Sequence, residues 1–572
     1  MTFCARLMGI LFGTFMLLLA VLITIETLIR KFFSLSFGGV DELGGYAIAV
    51  AAPLAFGVAM IEQSHIRINL LHMRLPTTVK AILNALAALS LGLLAAFLLY
   101  FTVQTVLDTH NYRSIAQTPW ATPLIYPQSV WLVAMGIFAA SAALLALQAL
   151  GLLIRRDWPA LNQRFGPASA SEELEAELAD LEQREKRSTA MSIPVIAGAF
   201  LVMLALMLLS LPVAVSILLV GVAGGYLMYG APLVNMMGGV VWSSLNSPSM
   251  LAIPLFMLLG ELLLRGGIAD RMYAALAVWF NRLPGGLLHT NIATCTLFSA
   301  TSGSSVATAA TVGTIALPAL QQYRYPIRPS LGSLAAGGTL GILIPPSINL
   351  LVYGQLANTS VSQLFAAGLI PGIALALLFS LYLWLAHGKA GKASLVEVNV
   401  SLQDKLSLSK HLIPPVVIFG VVMGSIYGGL ATPTESAAIG VVIALGFIAV
   451  GGKLTLDLLI HCSLQAAKTS GMVIIVLMCA LLLNVTISML GVTQALTQWV
   501  ASFGLTAVTL LLVLFVFYVI LGTFMDAMSM LVLTVPITVP MVMAVGIMVL
   551  FTFAIMIWPD IVMWLPDLLA GR

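Results

Sequence analysis

The chain has 572 residues, 60% of them hydrophobic and only 8% charged, with a mean hydropathy of +1.07. Soluble domains carry about 25% charged residues, so this composition excludes a soluble globular protein and specifies an integral membrane one. A net charge of +3 is too small to imply a nucleic-acid partner, and Cys4, Cys295, Cys462 and Cys479 form no Cys-x-x-Cys pair.

Four apolar runs come first, at about 8–29, 43–61, 80–106 and 129–154. Each reaches the roughly 18 residues that read as a membrane helix. Their unbroken apolar character, without alternation of period two, favours helices over a barrel. The first run is too long for a signal peptide's apolar core and lacks a small-x-small cleavage site, so it reads as a retained helix. Arg6, Arg67, Arg74, Lys80, Arg155 and Arg156 fall on one side, against Arg30, Lys31 and Arg113 on the other. That balance places both ends of a 1–154 bundle in the cytoplasm. His65 and His72 lie in a loop and read as interfacial.

Residues 155–190 carry six Lys/Arg and eight Asp/Glu. Ser169 and Glu172 can form a capping box, and Leu174, Leu178 and Leu181 share one helical face. This reads as a charged, partly helical cytoplasmic or interfacial linker.

The remainder is duplicated. Pro194 and Pro212 return as Pro415 and Pro433, 221 residues on, and Met250 and Pro318 return as Met472 and Pro540, 222 residues on. Copy one spans 191–410 and copy two 411–572, joined by a polar stretch at 387–411. A doubled apolar unit interrupted by Gly and Pro points to a secondary transporter whose site lies where broken helices meet.

Three segments carry such interruptions. In 298–311, no large side chain occurs between Thr301 and Ser305. Its repeat partner, 521–530, sets Asp526 opposite Gly303, and Asp526 is the only charged residue between Lys468 and Asp560. An intramembrane carboxylate is normally functional, with helix capping as the structural alternative. In 337–349, Pro345 and Pro346 cannot continue a helix, and Ser347 and Asn349 supply polar oxygens. In 428–438, Thr432 can N-cap a helix with Pro433 at its first position and Glu435 closing a capping box; a binding role for Thr434 or Glu435 is the functional alternative. Gly266–Gly267 suggests a re-entrant hairpin over 250–281 with Glu261 at its wetter end, and a counterpart over 472–503 turning near Gly491.

These motifs resemble the tripartite ATP-independent periplasmic (TRAP) transporters. The matching stretches are Ser-Gly-Ser-Ser-Val-Ala-Thr-Ala-Ala (302–310), Gly-Ile-Leu-Ile-Pro-Pro-Ser (341–347), Gly-Gly-Leu-Ala-Thr-Pro-Thr-Glu-Ser-Ala-Ala (428–438) and Phe-Met-Asp-Ala-Met-Ser-Met (524–530). Residues 1–154 resemble the family's small subunit more loosely, through His-Ile-Arg-Ile-Asn-Leu-Leu (65–71). The resemblance implies an all-α polytopic membrane protein: a four-helix small-subunit bundle fused to an inverted-repeat, elevator-type large subunit with re-entrant hairpins and broken helices. It further implies Na+-coupled import of a small organic acid across a bacterial inner membrane, delivered by a periplasmic substrate-binding protein. Beyond membrane lipid and Na+ as coupling ion, no cofactor, transition metal or enzymatic activity is implied.

One cation site would use Thr301, Ser302 and Gly303 with Gly338, Thr339 and Gly341. A second would use Gly522, Thr523 and Asp526 with the second copy of the Pro-Pro segment. Substrate contacts would come from Ser304, Ser305, Ser347, Asn349, Thr432, Thr434 and Glu435. The chain departs from the family at its end. Pro345–Pro346 maps near Pro566–Asp567, which lacks the family's second Thr-Pro-Pro-x-Gly-x-Asn. A complete second copy would run to about residue 608, so the repeat implies an internal shortening of roughly 40–60 residues near 546–548. The alternatives are a one-component ion-coupled carboxylate carrier or antiporter, and a transport-defective variant. A membrane enzyme is disfavoured by the lack of a His-x-x-x-His pair, a nucleophile with its base, or a Walker-type loop.

Overall fold

Apolar runs in a bilayer can satisfy their backbone only within themselves or in a closed barrel. Every regular element among the described residues is accordingly helical, apart from an isolated Ile115–Pro123 bridge. The computed structural model describes residues 2–63, 65, 75–116, 118, 120–165, 193–229, 231–280, 283–303, 305–387, 402–490, 492, 495–496, 507–523 and 525–544. The expected linker helix, His72, the turn near Gly491 and the shortening near 546–548 lie outside them.

The first region forms α1 (Thr2–Phe33), α2 (Val40–Ile61), α3 (Thr77–Tyr112) and α4 (Ile125–Ile154), followed by a short α5 (Trp158–Phe165). The helices outrun the apolar runs because local signals set their ends. Pro76 precedes α3, and Arg113, in the left-handed conformation, closes it by donating its N–H to Thr109 O. Next come α6 (Ile193–Leu208), α7 (Val213–Tyr229), α8 (Ala231–Leu245), α9 (Ala252–Arg265), α10 (Ile268–Phe280), α11 (Leu287–Ser302) and α12 (Ser305–Gln322). Copy one ends with α13 (Ile327–Leu343), α14 (Ile348–Ala357) and α15 (Val361–His387). Copy two contributes α16 (Leu402–Ser409), α17 (Ile413–Tyr427), α18 (Pro433–Val450), α19 (Leu456–Met489), α20 (Ala507–Gly522) and α21 (Ala527–Ala544). Ten helical stretches among the described residues are long and apolar enough to cross a membrane. The protein is an all-α polytopic membrane protein, as its composition required.

The two copies differ where their prolines differ. Pro248 and Pro254 fall where the chain stops α8 and restarts as α9. Their counterparts 222 residues on are Ser470 and Val476, and there α19 runs unbroken for 34 residues. Proline removes a helical N–H and clashes with the preceding turn; without it the same apolar stretch stays one helix.

Two compact units emerge. The first comprises Met1–Phe12, Asp41–Met250 and Ala467–Leu550. In it, Trp131 is fully buried with its ring 5.0 Å from that of Trp242, and Phe56 meets Phe138 edge-on at 5.6 Å. A Cβ on Gly471 would lie 2.2 Å from the Ala55 carbonyl oxygen, so α19 and α2 touch backbone to backbone. Among the described residues, the second unit comprises those of Gly13–Val40 and Leu251–Ala466. Its apolar core gathers Met272, Leu288, Ile292, Phe298, Val312, Ala316 and Leu340 from α10–α13. A polar chain crosses this core: Tyr273 Oη donates to Asn291 Oδ1 (3.1 Å), and Asn291 Nδ2 donates to Ser333 Oγ (2.8 Å). Such paired buried groups fix helix register where apolar packing alone is permissive. Ala495 and Val513 stand at the copy-two positions of Tyr273 and Asn291, so this chain belongs to copy one alone.

Candidate site at two interrupted helices

In the second unit, α11 and α12 form a hairpin broken at its tip. Gly303 has φ +63° and ends α11, donating its N–H to Ser299 O. The neighbouring interruption follows α13: Ile344 turns extended, the Pro345–Pro346 bond is cis, and Ser347 is extended before α14 begins at Ile348. The two interruptions touch. Ile348 N–H donates to Gly303 O at 3.1 Å, and a Cβ on Gly303 would sit 2.6 Å from Pro346 O. Close helix packing supports the contact: a Cβ on Gly337 would lie 2.8 Å from Cys295 Sγ on α11, and one on Gly338 2.8 Å from Ala309 Cβ on α12.

The electrostatics follow from geometry. Apart from the Gly303 O and Ile348 N–H that pair with each other, the ends of α11 and α13 leave carbonyls without intrahelical partners and carry partial negative charge, and the starts of α12 and α14 leave N–H groups without them and carry partial positive charge. One small region thus offers oxygens to a cation and donors to an anion. Gly303, Gly338, Gly341 and Ser347 are all buried here. Ser347 Oγ donates to Ile342 O at 2.6 Å, which leaves only its lone pairs for another group. Ser305 and Asn349 are half-buried in the first turns of α12 and α14. Thr339 is exposed and its hydroxyl donates to Ala336 O, so its side chain is used within its own helix. Ser304 and the side chains of Thr301 and Ser302 lie outside the described residues.

In the first unit, α20 and α21 repeat this design. The helix stops at Gly522 and resumes at Ala527. Tyr518 Oη lies 2.9 Å from Thr534 Oγ1 and 3.0 Å from Thr538 Oγ1, tying the arms. Thr523 Oγ1 donates to Ile520 O. Asp526 is exposed and accepts the backbone N–H groups of Met528 (3.0 Å) and Ser529 (3.1 Å) together with the Ser529 hydroxyl. It therefore caps α21, and the capping leaves carboxylate lone pairs open.

The capping box at α18 is present as read from the sequence. Glu435 N–H donates to Thr432 Oγ1 (3.3 Å), and Thr432 N–H donates to Glu435 Oε2 (2.8 Å). The other Glu435 oxygen accepts from Arg30 near the end of α1, 405 residues away. Both oxygens of this buried carboxylate are thus held by structural partners. Arg30 carried no signal in the sequence beyond its charge, and nothing local could have paired it with Glu435. Glu261 pairs with Arg265 at 3.1 Å, with side chains 21% and 38% exposed.

Comparison with known proteins fits this geometry. Residues 200–566 match the family described as the tripartite ATP-independent periplasmic transporter DctM component, and residues 19–156 match the DctQ component. An isethionate TRAP transporter permease protein, DctMQ, from Oleidesulfovibrio alaskensis is 31% identical over 62% of this chain, and the chain spans 55% of that relative's length. A C4-dicarboxylate TRAP transporter large permease protein from Rhodobacter capsulatus is 31% identical over 61% of this chain and 82% of its own length. A sialic acid TRAP transporter large permease protein from Vibrio cholerae is 29% identical over the same shares. Since the DctM match alone takes in more than half of the residues, the chain belongs to the tripartite ATP-independent periplasmic transporters, with DctQ and DctM components fused in one polypeptide.

Proposed function

We propose that the chain is the permease of a TRAP transporter, importing a small organic acid with Na+ after a periplasmic binding protein delivers it, across a bacterial inner membrane. The observation that carries this reading is the Ile348 N–H bond to Gly303 O, which joins two helix interruptions into one polar locus. Carbonyls of Thr301, Ser302 and Gly303 with those of Gly338, Thr339 and Gly341 would replace water around Na+. The substrate carboxylate would take N–H groups from the starts of α12 and α14, with Ser305 and the Asn349 amide as side-chain donors and Ser304 and Ser347 beside them. A second cation would use Gly522, Thr523 and Asp526. Thr432 and Glu435 would hold the start of α18, leaving Thr434 as the contact nearest the substrate on that element. Binding Na+ beside the carboxylate neutralises the load that an elevator movement must carry through lipid. The relatives named for C4-dicarboxylate, sialic acid and isethionate support a small organic acid as cargo.

Uptake into proteoliposomes tests this. Accumulation of a labelled dicarboxylate, sialic acid or isethionate is expected only with an inward Na+ gradient and the cognate binding protein together. Equal uptake with neither present refutes the coupling and the partner at once.

A further inference from the structure

Away from the interrupted helices, a small cleft of about 50 Å³, open to solvent, lies where α9 turns into α10. Arg271, His411 and Lys453 line it, over a wall made by Pro414, Phe447 and Ile448. None of the three basic side chains has a hydrogen bond or ion pair among the described residues. Gly267 has φ +71°, and a Cβ there would lie 2.5 Å from Lys453 Nζ, so the bare turn is what admits the ammonium. Asp270 Oδ2 would lie 3.9 Å from that Cβ, and against this carboxylate Arg271 and Lys453 leave a positive excess among the described residues.

The surroundings of the cleft have the composition of a lipid–water boundary. Helix α10 buries Ile268, Ala269, Met272, Tyr273 and Leu276 while Asp270 and Arg271 stay exposed. Near its far end Trp279 donates Nε1–H to Ser409 Oγ (2.9 Å), and Lys405 Nζ stands 5.7 Å from the Trp279 ring centre. Tryptophan and lysine concentrate at membrane interfaces. Lys405 and Lys410 sit at this same end of α17.

We propose that this cleft binds the headgroup of an anionic phospholipid, its phosphate between Arg271, His411 and Lys453 and its acyl chains along Phe447 and Ile448. Free phosphate would satisfy the cations but not the apolar wall, and a zwitterionic lipid would bring its own cation to a site already positive.

The test uses the purified full chain in neutral detergent, with binding read by native mass spectrometry and thermal shift. Short-chain phosphatidylglycerol is compared with phosphatidylcholine of equal chain length and with inorganic phosphate. Phosphatidylglycerol alone is expected to bind and stabilise. Arg271→Gln with Lys453→Gln should weaken that binding roughly thirtyfold, about 2 kcal/mol at 1.4 kcal/mol per factor of ten. Both side chains are exposed, so the lipid-free melting temperature should not move, and Arg328→Gln, exposed on α13, should leave binding unchanged. Equal binding of phosphatidylcholine, an equal shift with inorganic phosphate, or full binding by the double variant each overturns the proposal.

Discussion

At the scale of single residues, the cap that Asp526 forms and the cation role proposed for it can be separated by substitution. Its carboxylate caps α21 through Met528 and Ser529, and asparagine caps about as well as aspartate. Asp526→Asn should therefore keep stability within about 0.5 kcal/mol. It removes the charge, however, and the Na+ concentration giving half-maximal uptake should rise roughly tenfold. A variant with unchanged Na+ dependence would limit Asp526 to capping. Glu435 marks how far residue-level reading reaches. Its capping box was legible because Thr432 and Glu435 are three positions apart and the pattern needs no tertiary information. Its ion pair with Arg30 was not, since that partner is brought in by packing.

At the scale of elements, the decisive feature is the contact between one hairpin tip and one helix break. Gly303 occupies the left-handed region with 2.6 Å between a Cβ position and Pro346 O. Gly303→Ala adds backbone strain and pushes the two interruptions apart, at a cost of about 1–3 kcal/mol. Its melting temperature should fall and its transport should fall further, because the helix ends separate. Wild-type uptake by the alanine variant would mean that solute does not bind there. The breaks themselves were readable in the sequence: runs of small residues at 301–305, paired prolines at 345–346 and the Gly-Thr-x-x-Asp of 522–526 all interrupt helices as expected. Which break meets which has no local signal: only the family resemblance paired 301–303 with 338–341, and the contact itself depends on α11 and α12 packing against α13 through Gly337 and Gly338.

For the molecule as a whole, the compact units do not follow chain order. The first unit unites the helices of residues 41–165 with late copy-two helices, as in the Ala55–Gly471 contact between α2 and α19. The second draws in α1 from Gly13 onward, where Arg30 meets Glu435. Contacts of this kind lead us to expect assembly without a covalent connection at 166–190. Cleavage at a protease site inserted there should leave both fragments co-eluting from a size-exclusion column. Gly471→Leu, which forces a side chain into the Ala55 backbone, should make the cleaved fragments separate. Separation without that substitution would place the association in the linker.

The amino-acid order by itself determined the membrane class, the doubling of the large region, the places where helices break and the caps that restart them. All of these depend on hydropathy, proline and glycine acting within a few residues of themselves. Tertiary structure alone decided that Ile348 bonds Gly303, that Arg30 neutralises Glu435, and that Arg271, His411 and Lys453 surround one cleft. Those pairings join residues tens to hundreds of positions apart. Their partners are selected by how helices pack, a property that no local window of sequence contains.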